Sequence, residues 1–201
     1  MKILLATTNH GKIAELRALL ADLNLEIIGL DQLPQRLEVE ENGATFLDNA
    51  LLKARAYARL SGLPTIADDS GLCVQALDGR PGVHSARYAG PGANDAANNA
   101  KLLSEMETQT DRRAKFVCIS VCVLPDGETI EATGECAGEI LHELRGTAGF
   151  GYDPLFFHPP SGKTFAELSA AEKNRISHRA RSLASLKTKM AASPAFAQRA
   201  K

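Results

Sequence analysis

The chain begins with a short apolar run, a polar segment and then apolar residues at helical spacing. The run Ile3–Ala6 predicts a buried strand, and the polar segment Thr7–Lys12 follows it. In residues 13–20 the apolar positions recur every three to four residues, which is typical of an amphipathic helix. The pattern therefore predicts strand, turn and helix, with Thr8 or Asn9 as the helix N-cap.

Strands and helices continue to alternate in the next part of the chain. Residues 26–30 predict a second strand. The capping pattern at Thr45 predicts a helix through Leu60 that ends at Gly62. Thr65–Ala67 predicts a short strand, which leads into a second polar turn at 68–71.

The remainder of the chain combines a central hairpin with helices. Glycines and prolines at 78–95 predict a long loop, either a lid or a dimer contact. The other predicted elements are a helix over 94–106, a hairpin of strands 115–124 and 128–139 around Asp126-Gly127, a strand over 155–157, and a helix from the capping box at Ser169 to about Met190. After about residue 190 we expect a loose tail.

These elements predict one domain of the α/β class over residues 1–201. The parallel arrangement expected at the start and the antiparallel hairpin in the middle together predict a mixed β-sheet flanked by helices. The sequence contains no internal repeat, low-complexity tract or interdomain linker. A chain of 201 residues is long enough to bury a substantial core.

Composition excludes several classes of protein. The formal net charge of −1 argues against a nucleic-acid-binding module. No apolar run is long enough to span a bilayer, and the first residues do not resemble a signal peptide. The four cysteines form no C-x-x-C motif and are expected to be core residues. We therefore expect a cytoplasmic protein in a reducing compartment, with no membrane partner.

The polar segment Thr7–Lys12 is the first candidate binding site. It lies where a strand ends and a helix begins, and a helix N-terminus attracts anions. Hydroxyl, amide and ammonium donors at Thr8, Asn9 and Lys12 suit phosphate, although the spacing is not that of a Walker A loop. The segment is interpreted either as a phosphate cradle or as an ordinary helix cap with a solvated lysine.

Two acidic pairs suggest a site for a hard metal ion. Asp68 and Asp69 follow a predicted strand, so their side chains point to opposite faces and one of them faces a ligand. Carboxylates are good ligands for Mg²⁺. A structural turn is the alternative at this position. The second pair, Glu40 and Glu41, precedes the helix that contains Asn49 and Lys53 on one face. Either glutamate is a candidate for the metal side.

An aromatic residue between two glycines marks the third region. Phe150 lies in the segment Gly149–Pro154, where it is suited to stacking on a planar ligand or to a tight turn in the core. Lys173 and the run Ser177-His178-Arg179 form the fourth region, on the last predicted helix. Their donors suit a base carbonyl or phosphates, and a solvated helix face is the alternative.

Together these segments resemble the inosine triphosphate pyrophosphatase family, and its bacterial branch most. The matching segments, in the order of the family, are Thr7–Lys12, Glu41–Ala54, Ala67–Gly71, Pro81–Tyr88, Gly149–Phe157 and Ser177–Arg179. The resemblance implies an elongated mixed α/β fold with two lobes around a central active-site cleft, a homodimer and a requirement for Mg²⁺. It implies hydrolysis of ITP, dITP and XTP to the monophosphate and pyrophosphate.

The resemblance also implies roles for individual residues. Asp69 would be the general base and a Mg²⁺ ligand, with Glu41 as a further metal-side carboxylate. The residues implied to hold the substrate are Thr7, Thr8, Asn9, His10, Gly11, Lys12, Asn49, Lys53, Ser70, Phe150, Gly151, Tyr152, Asp153, Lys173, His178 and Arg179. Phe150 would stack on the purine, and Lys173, His178 and Arg179 would recognise the base and hold the nucleotide.

Two other functions remain open from the sequence. The chain could be a related pyrophosphatase that acts on other modified bases, such as modified pyrimidines. It could also be a nucleotide-binding regulator without turnover. The intact acidic and basic residues of the motifs favour an enzyme.

Overall fold

A computed structural model describes residues 1–23 and 25–197 and contains one mixed β-sheet. The strands are β1 (Lys2–Leu5), β2 (Glu26–Gly29), β3 (Thr65–Val74), β4 (Arg113–Val123), β5 (Thr129–Ile140), β6 (Phe156–His158) and β7 (Lys163–Thr164). Their order in the sheet is β2-β1-β3-β4-β5-β6-β7. β1 runs parallel to β2 and β3, while β6 is antiparallel to both β5 and β7. The predicted α/β class with a mixed sheet is confirmed.

Helices flank this sheet, and the first two begin at capping residues that the sequence predicts. The helices are α1 (His10–Leu20), α2 (Phe46–Ser61), α3 (Asp95–Glu105), α4 (Ala170–Ile176), α5 (His178–Ala192) and α6 (Pro194–Ala197). Asn9 caps α1 by accepting a hydrogen bond from the backbone N–H of Lys12. Thr45 begins α2 with a capping box, and Gly62 ends it in the left-handed conformation, with φ of 66°.

The expected polar turn at 68–71 is wrong, because β3 continues through it to Val74. Aspartate is disfavoured in strands, which is why the sequence predicts a turn there. In the structure both aspartates are buried, and Asp68 and Asp69 have partners from other elements. The paired charges allow the strand to pass through this position.

The single long helix expected from Ser169 is in fact two helices, α4 and α5. Ser177 is the C-cap of α4, with an extended ψ of 156°. Serine favours such positions because its hydroxyl competes for backbone hydrogen bonds. As a consequence, Lys173 and Ser177 do not share one continuous helical face.

The loop and the tail also contain more regular structure than predicted. Residues Gly82–Arg87 of the predicted loop form a 3₁₀ helix. Where the sequence predicts a loose tail, α5 runs to Ala192 and α6 follows, with Phe196 buried in a hydrophobic cluster. The last four residues of the tail, 198–201, lie outside the described residues.

The chain folds into two compact units. Unit 1 comprises residues 1–69, 118–134 and 179–201, and unit 2 comprises residues 70–117 and 135–178. Each unit has its own core. One cluster of unit 1 includes Ile3, Leu16 and Leu183, and the cluster of unit 2 includes Leu72, Phe116 and Phe156.

Within the described ranges, no helix has the length and apolar character needed to cross a membrane.

Candidate functional site

Unit 1 contains a buried group of charges around Asp68. The Asp68 side chain is fully buried, and its Oδ2 lies 3.0 Å from the Lys12 Nζ and 3.3 Å from the Arg179 Nε. Arg179 also pairs with Glu15 of α1. These contacts join the first helix, strand β3 and the start of α5. Lys12 is thereby held at the N-terminus of α1, within the predicted phosphate turn.

The charge state of this group follows from its geometry. Burial by itself would raise the pKa of Asp68, but the charges of Lys12, Arg179 and Lys53 hold that pKa well below its usual range. Burial disfavours the Arg179 cation, yet Asp68 and Glu15 raise the pKa of its guanidinium. Asp68 is therefore a permanent carboxylate and not a proton acceptor near neutral pH.

Asp69, the next residue of β3, has a different environment. Its Oδ2 accepts a hydrogen bond of 3.1 Å from the Asn49 Nδ2, and the Asn49 Oδ1 accepts one of 2.8 Å from the Gly43 N–H. Because Gly43 fixes which end of the amide faces the loop, the NH₂ group of Asn49 is directed at Asp69.

Burial raises the pKa of Asp69, and the nearby Lys53, Lys12 and Asn49 oppose that shift only in part. The residue is 8% exposed. A carboxylate with a raised pKa accepts protons more readily than an ordinary aspartate. Asp68 is therefore a fixed anion, whereas Asp69 is a potential proton acceptor.

A second ion pair lies in the same unit. Lys53 of α2 is mostly buried, and its Nζ is 2.7 Å from the Glu41 Oε2. Glu41 is half-buried, whereas Glu40 is exposed and hydrogen-bonded to Asn42. Glu41 also acts on Asp69, since its charge raises the pKa of that carboxyl. Of the two glutamates that the sequence left open, Glu41 is the one associated with Asp69.

The donor set in unit 1 suits a divalent cation that binds together with an anionic ligand. Among the described residues, no group of three histidine, cysteine or acidic side chains could hold a metal ion by itself. Mg²⁺ is usually held by one or two carboxylates together with phosphate oxygens and water. Asp69 and Glu41 match that pattern, so the residues present fit a magnesium ion bound with a phosphate ligand.

The predicted phosphate turn combines a helix N-terminus with solvent access. Thr8, Asn9 and His10 are exposed, and Thr7, Gly11 and Lys12 are half-exposed. Thr7 Oγ1 accepts a hydrogen bond from the Asn9 N–H at 3.2 Å. The helix cap and the candidate phosphate site are thus formed by the same residues.

In unit 2, the Phe150 turn is built on glycines and on Asp153. Gly149 and Gly151 have φ of 78° and 62°, a region that strongly favours glycine. Asp153 Oδ2 accepts a 3.0 Å bond from the Phe150 N–H, and a Cβ on Gly149 would lie 2.0 Å from the same oxygen. The tight turn therefore requires glycine at position 149 and projects the half-buried Phe150.

Lys173 connects this turn to α4. Its Nζ lies 2.6 Å from the Asp153 Oδ2 and 4.7 Å from the centre of the Phe150 ring. An ammonium at that distance interacts favourably with the ring. The side chain is buried, so its charge is compensated by Asp153 while it remains against the aromatic surface.

Other predicted residues of unit 2 serve its core. Tyr152 is buried in the hydrophobic cluster, and its hydroxyl donates a 2.8 Å bond to the Ser85 carbonyl. His178 is 5% exposed, and its ring stacks on Phe116 with centroids 4.6 Å apart. Ser70 lies in β3 and is partly exposed. For Tyr152, the structure indicates support of the Phe150 turn rather than an exposed lining.

The structure brings the sequence candidates together as two groups, one in each unit. The unit 1 group contains Lys12, Glu41, Asn49, Lys53, Asp69 and Arg179, and the unit 2 group contains Phe150, Gly151, Tyr152, Asp153, Lys173 and His178. The Arg179 side chain is 1% exposed and contacts Asp68 and Glu15. These contacts give Arg179 a structural role in unit 1, and its contact with the nucleotide stays a prediction.

Sequence reasoning missed Asp68 and Glu15 as members of the charge group. The signal for Glu15 is its position three residues after Lys12, which places both on neighbouring turns of α1. No local signal identifies the partner of Asp68, because Arg179 is 111 residues away in sequence.

Comparisons with known proteins identify the family of the chain. The Ham1 family model matches residues 3–189. A dITP/XTP pyrophosphatase of Geobacter sulfurreducens is 51% identical over 188 residues, covering 92% of this chain and 94% of the relative. A protein of the same name from Haemophilus influenzae is 53% identical over 193 residues, covering 94% and 98%.

Solved structures lead to the same family. A HAM1 protein from Coxiella burnetii superposes with a TM-score of 0.88 at 42% identity, over 96% of this chain and 100% of that one. The Staphylococcus aureus Ham1 protein gives a TM-score of 0.86 at 43% identity, over 96% and 99%. The resemblance inferred from the motifs is confirmed, and the chain belongs to the Ham1 family.

Proposed function

We propose that this protein hydrolyses the non-standard purine nucleoside triphosphates ITP, dITP and XTP to the monophosphate and pyrophosphate. The observation that carries the proposal is Asp69, a mostly buried carboxylate with a raised pKa that Asn49 orients beside Lys12 and Lys53. The relatives named dITP/XTP pyrophosphatase support the choice of substrate. Such activity would remove these nucleotides from the pool.

The chemistry assigned to unit 1 is attack of water on the α phosphorus with pyrophosphate as the leaving group. A triphosphate repels an oxygen nucleophile, so positive charge on the phosphate oxygens and an oriented water are needed. The cations available are Lys12 at the N-terminus of α1 and Lys53 on α2. Asp69 takes the proton of the attacking water, and Asn49 keeps the carboxylate in one orientation.

Magnesium, when bound with the substrate, would neutralise phosphate charge and make a bound water more acidic. Asp69 and Glu41 are the carboxylates that would hold it. Lys53, which pairs with Glu41 at 2.7 Å, holds that carboxylate in place.

Recognition of the base is assigned to unit 2. Phe150 would stack on the purine, a contact worth about 1–3 kcal/mol for a base on an aromatic ring. Lys173 and Asp153 maintain the ring and its turn. A hydrogen-bond donor from this region would favour the 6-oxo group of hypoxanthine and xanthine over the amine of adenine. The resemblance implies that His178 is a candidate for this donor.

A substrate panel tests the function. Purified protein is incubated with ITP, dITP, XTP, ATP and GTP, each with and without Mg²⁺, and released pyrophosphate is measured. We expect release from the first three, dependence on Mg²⁺, and much slower release from ATP, which has an amine in place of the 6-oxo group. Guanine shares the 6-oxo group, so the rate with GTP measures discrimination at its 2-amino group. Release from ATP as fast as from ITP would contradict the account of base selection, and no release from any of them would contradict the enzyme.

Isotope labelling tests the site of attack. Hydrolysis of ITP in ¹⁸O-labelled water is expected to place the label in the monophosphate, because water attacks the α phosphorus. Mass spectrometry of both products measures this. Label in pyrophosphate would show attack on the β phosphorus and overturn the mechanism.

The panel also separates the other functions. Preference for triphosphates of modified pyrimidines would identify a related pyrophosphatase with a different pocket. Binding of ITP without turnover would identify a regulator. The resemblance further implies a homodimer, and the composition and charge predict a cytoplasmic protein that does not bind nucleic acid.

A further inference from the structure

Three consecutive peptide groups of the Phe150 turn are each held by a side chain. The Phe150 N–H donates to Asp153, as described above. The Gly151 N–H donates to the Asp95 Oδ2 at 2.6 Å, and the Gly151 carbonyl accepts from the Asn99 Nδ2 at 2.8 Å. Asp95 and Asn99 belong to neither the sequence candidates nor the chemistry assigned so far.

These bonds determine the direction of the Phe150 side chain. The φ and ψ angles of Phe150 are set by the peptide before it and the peptide after it, and Asp153 and Asp95 hold one each. The flanking glycines restrict the backbone least of all residues, so the hydrogen bonds decide the conformation. Loss of the Asp95 bond would free the ψ angle of Phe150.

The side chains of Asp95 and Asn99 both belong to helix α3, whose N-terminus is capped. Asp95 is the first residue of α3, where an acidic residue is favoured by the helix dipole, and Asn94 caps that helix. Asn99 Nδ2 also donates to the Asp95 carbonyl at 2.8 Å. Since both partners of Nδ2 are carbonyl oxygens, a flipped amide would place oxygen against oxygen, so the Asn99 amide has one orientation.

Helix α3, which contains Asp95 and Asn99, is fixed further by the neighbouring Asn98. Its Oδ1 accepts from the Ala89 N–H at 2.8 Å, and its Nδ2 donates to the Ala86 carbonyl at 3.2 Å. These bonds connect α3 to the segment before it. The backbone that carries Asp95 and Asn99 is therefore held in place.

We propose that Asp95 and Asn99 are positioning residues that hold the Phe150 ring in the orientation needed to stack on the base of the substrate. They act through Phe150 and do not touch the reacting atoms. The consequence for catalysis rests on the function proposed above, whereas the effect on the ring itself does not.

The first experiment is a double-mutant cycle with ITP as substrate. Asp95 is exposed, so Asp95→Ala is compatible with folding. We expect this variant to raise KM about tenfold, because part of the stacking energy is lost, with kcat nearly unchanged since the base is remote from the α phosphorus. Asp95→Asn keeps an acceptor oxygen and is expected to recover most of the loss.

The cycle is completed in a Phe150→Ala background, where Asp95→Ala is expected to have no further effect on KM. Asn94→Ala is the matched control, since it removes a cap of the same helix without touching Gly151. Equal effects of Asp95→Ala in both backgrounds, or the same KM change in the control, would overturn the proposal. If Phe150→Ala leaves KM unchanged, the stacking role fails instead.

The second experiment needs no turnover. The chain contains no tryptophan, so Phe150→Trp introduces a single fluorescent reporter at the position of the ring. We expect its steady-state anisotropy to fall when Asp95→Ala or Asn99→Ala is added and to stay constant with Asn94→Ala. Unchanged anisotropy in both of the first two variants would show that these residues do not hold the ring, whatever the enzyme's substrate.

Discussion

Replacing Asp69 with asparagine is expected to abolish turnover while making the protein more stable. A general base typically contributes about 10²- to 10⁴-fold to the rate, and asparagine cannot accept the proton. Asparagine at this position retains an oxygen that can accept the bond from Asn49, so the fold should persist. Rates of pyrophosphate release from ITP measure the loss, and thermal unfolding measures the gain.

The expected gain in stability follows from the direction of the pKa shift. Burial raises the pKa of Asp69 above its unfolded value, so the ionised carboxylate destabilises the native state. This destabilisation is absent at a pH below the pKa that Asp69 has in the unfolded state. It is fully present once the pH exceeds the pKa that Asp69 has in the native state. The difference in unfolding temperature between Asp69→Asn and the wild type should therefore grow from acidic to neutral pH.

Asp78→Asn is the matched control for this experiment. Asp78 is exposed and has a φ of 52°, a conformation that asparagine tolerates well. The control should keep wild-type rates and wild-type stability. Unimpaired turnover in Asp69→Asn would exclude Asp69 as the base and favour another proton acceptor in unit 1.

Much of the fold is predictable because its signals are local. Capping residues at Thr45 and Gly62 give the limits of α2 almost to the residue, and the Asp126-Gly127 pair gives the turn between β4 and β5. Glycines around Phe150 indicate a special turn without any knowledge of the fold. Such patterns depend on residues a few positions apart, so the sequence alone contains them.

The internal arrangement of the two groups of side chains is not predictable in that way. Asp68 and Arg179 pair across the fold, and Gly151 meets Asn99 from 52 residues away. The motif containing Arg179 suggests contact with a nucleotide, yet tertiary packing places its guanidinium between two carboxylates of unit 1. Similarly, Tyr152 lies in a motif near Phe150 but packs into the core.

Arg179→Met is expected to lower the free energy of unfolding by about 3–5 kcal/mol, since removal of one partner leaves buried charge uncompensated. Asp68 would lose the guanidinium and keep Lys12, and Glu15 would lose its contact with the guanidinium. Urea unfolding of both proteins measures the difference. Arg113→Met, which removes an exposed ion pair with Asp111, should cost less than about 1 kcal/mol.

The pH dependence of that loss distinguishes a charge effect from a packing effect. Pairing lowers the pKa of Asp68, so its contribution to stability is present above the unfolded pKa of aspartate and disappears as the pH falls through the folded value. The difference in the free energy of unfolding between Arg179→Met and the wild type should therefore shrink in acid.

Adding Glu15→Gln and Asp68→Asn to Arg179→Met should restore much of the stability at neutral pH, because the carboxylates that lost the guanidinium are then replaced by neutral amides. Unchanged stability together with a raised KM for ITP would instead support the nucleotide contact that the sequence motif suggests.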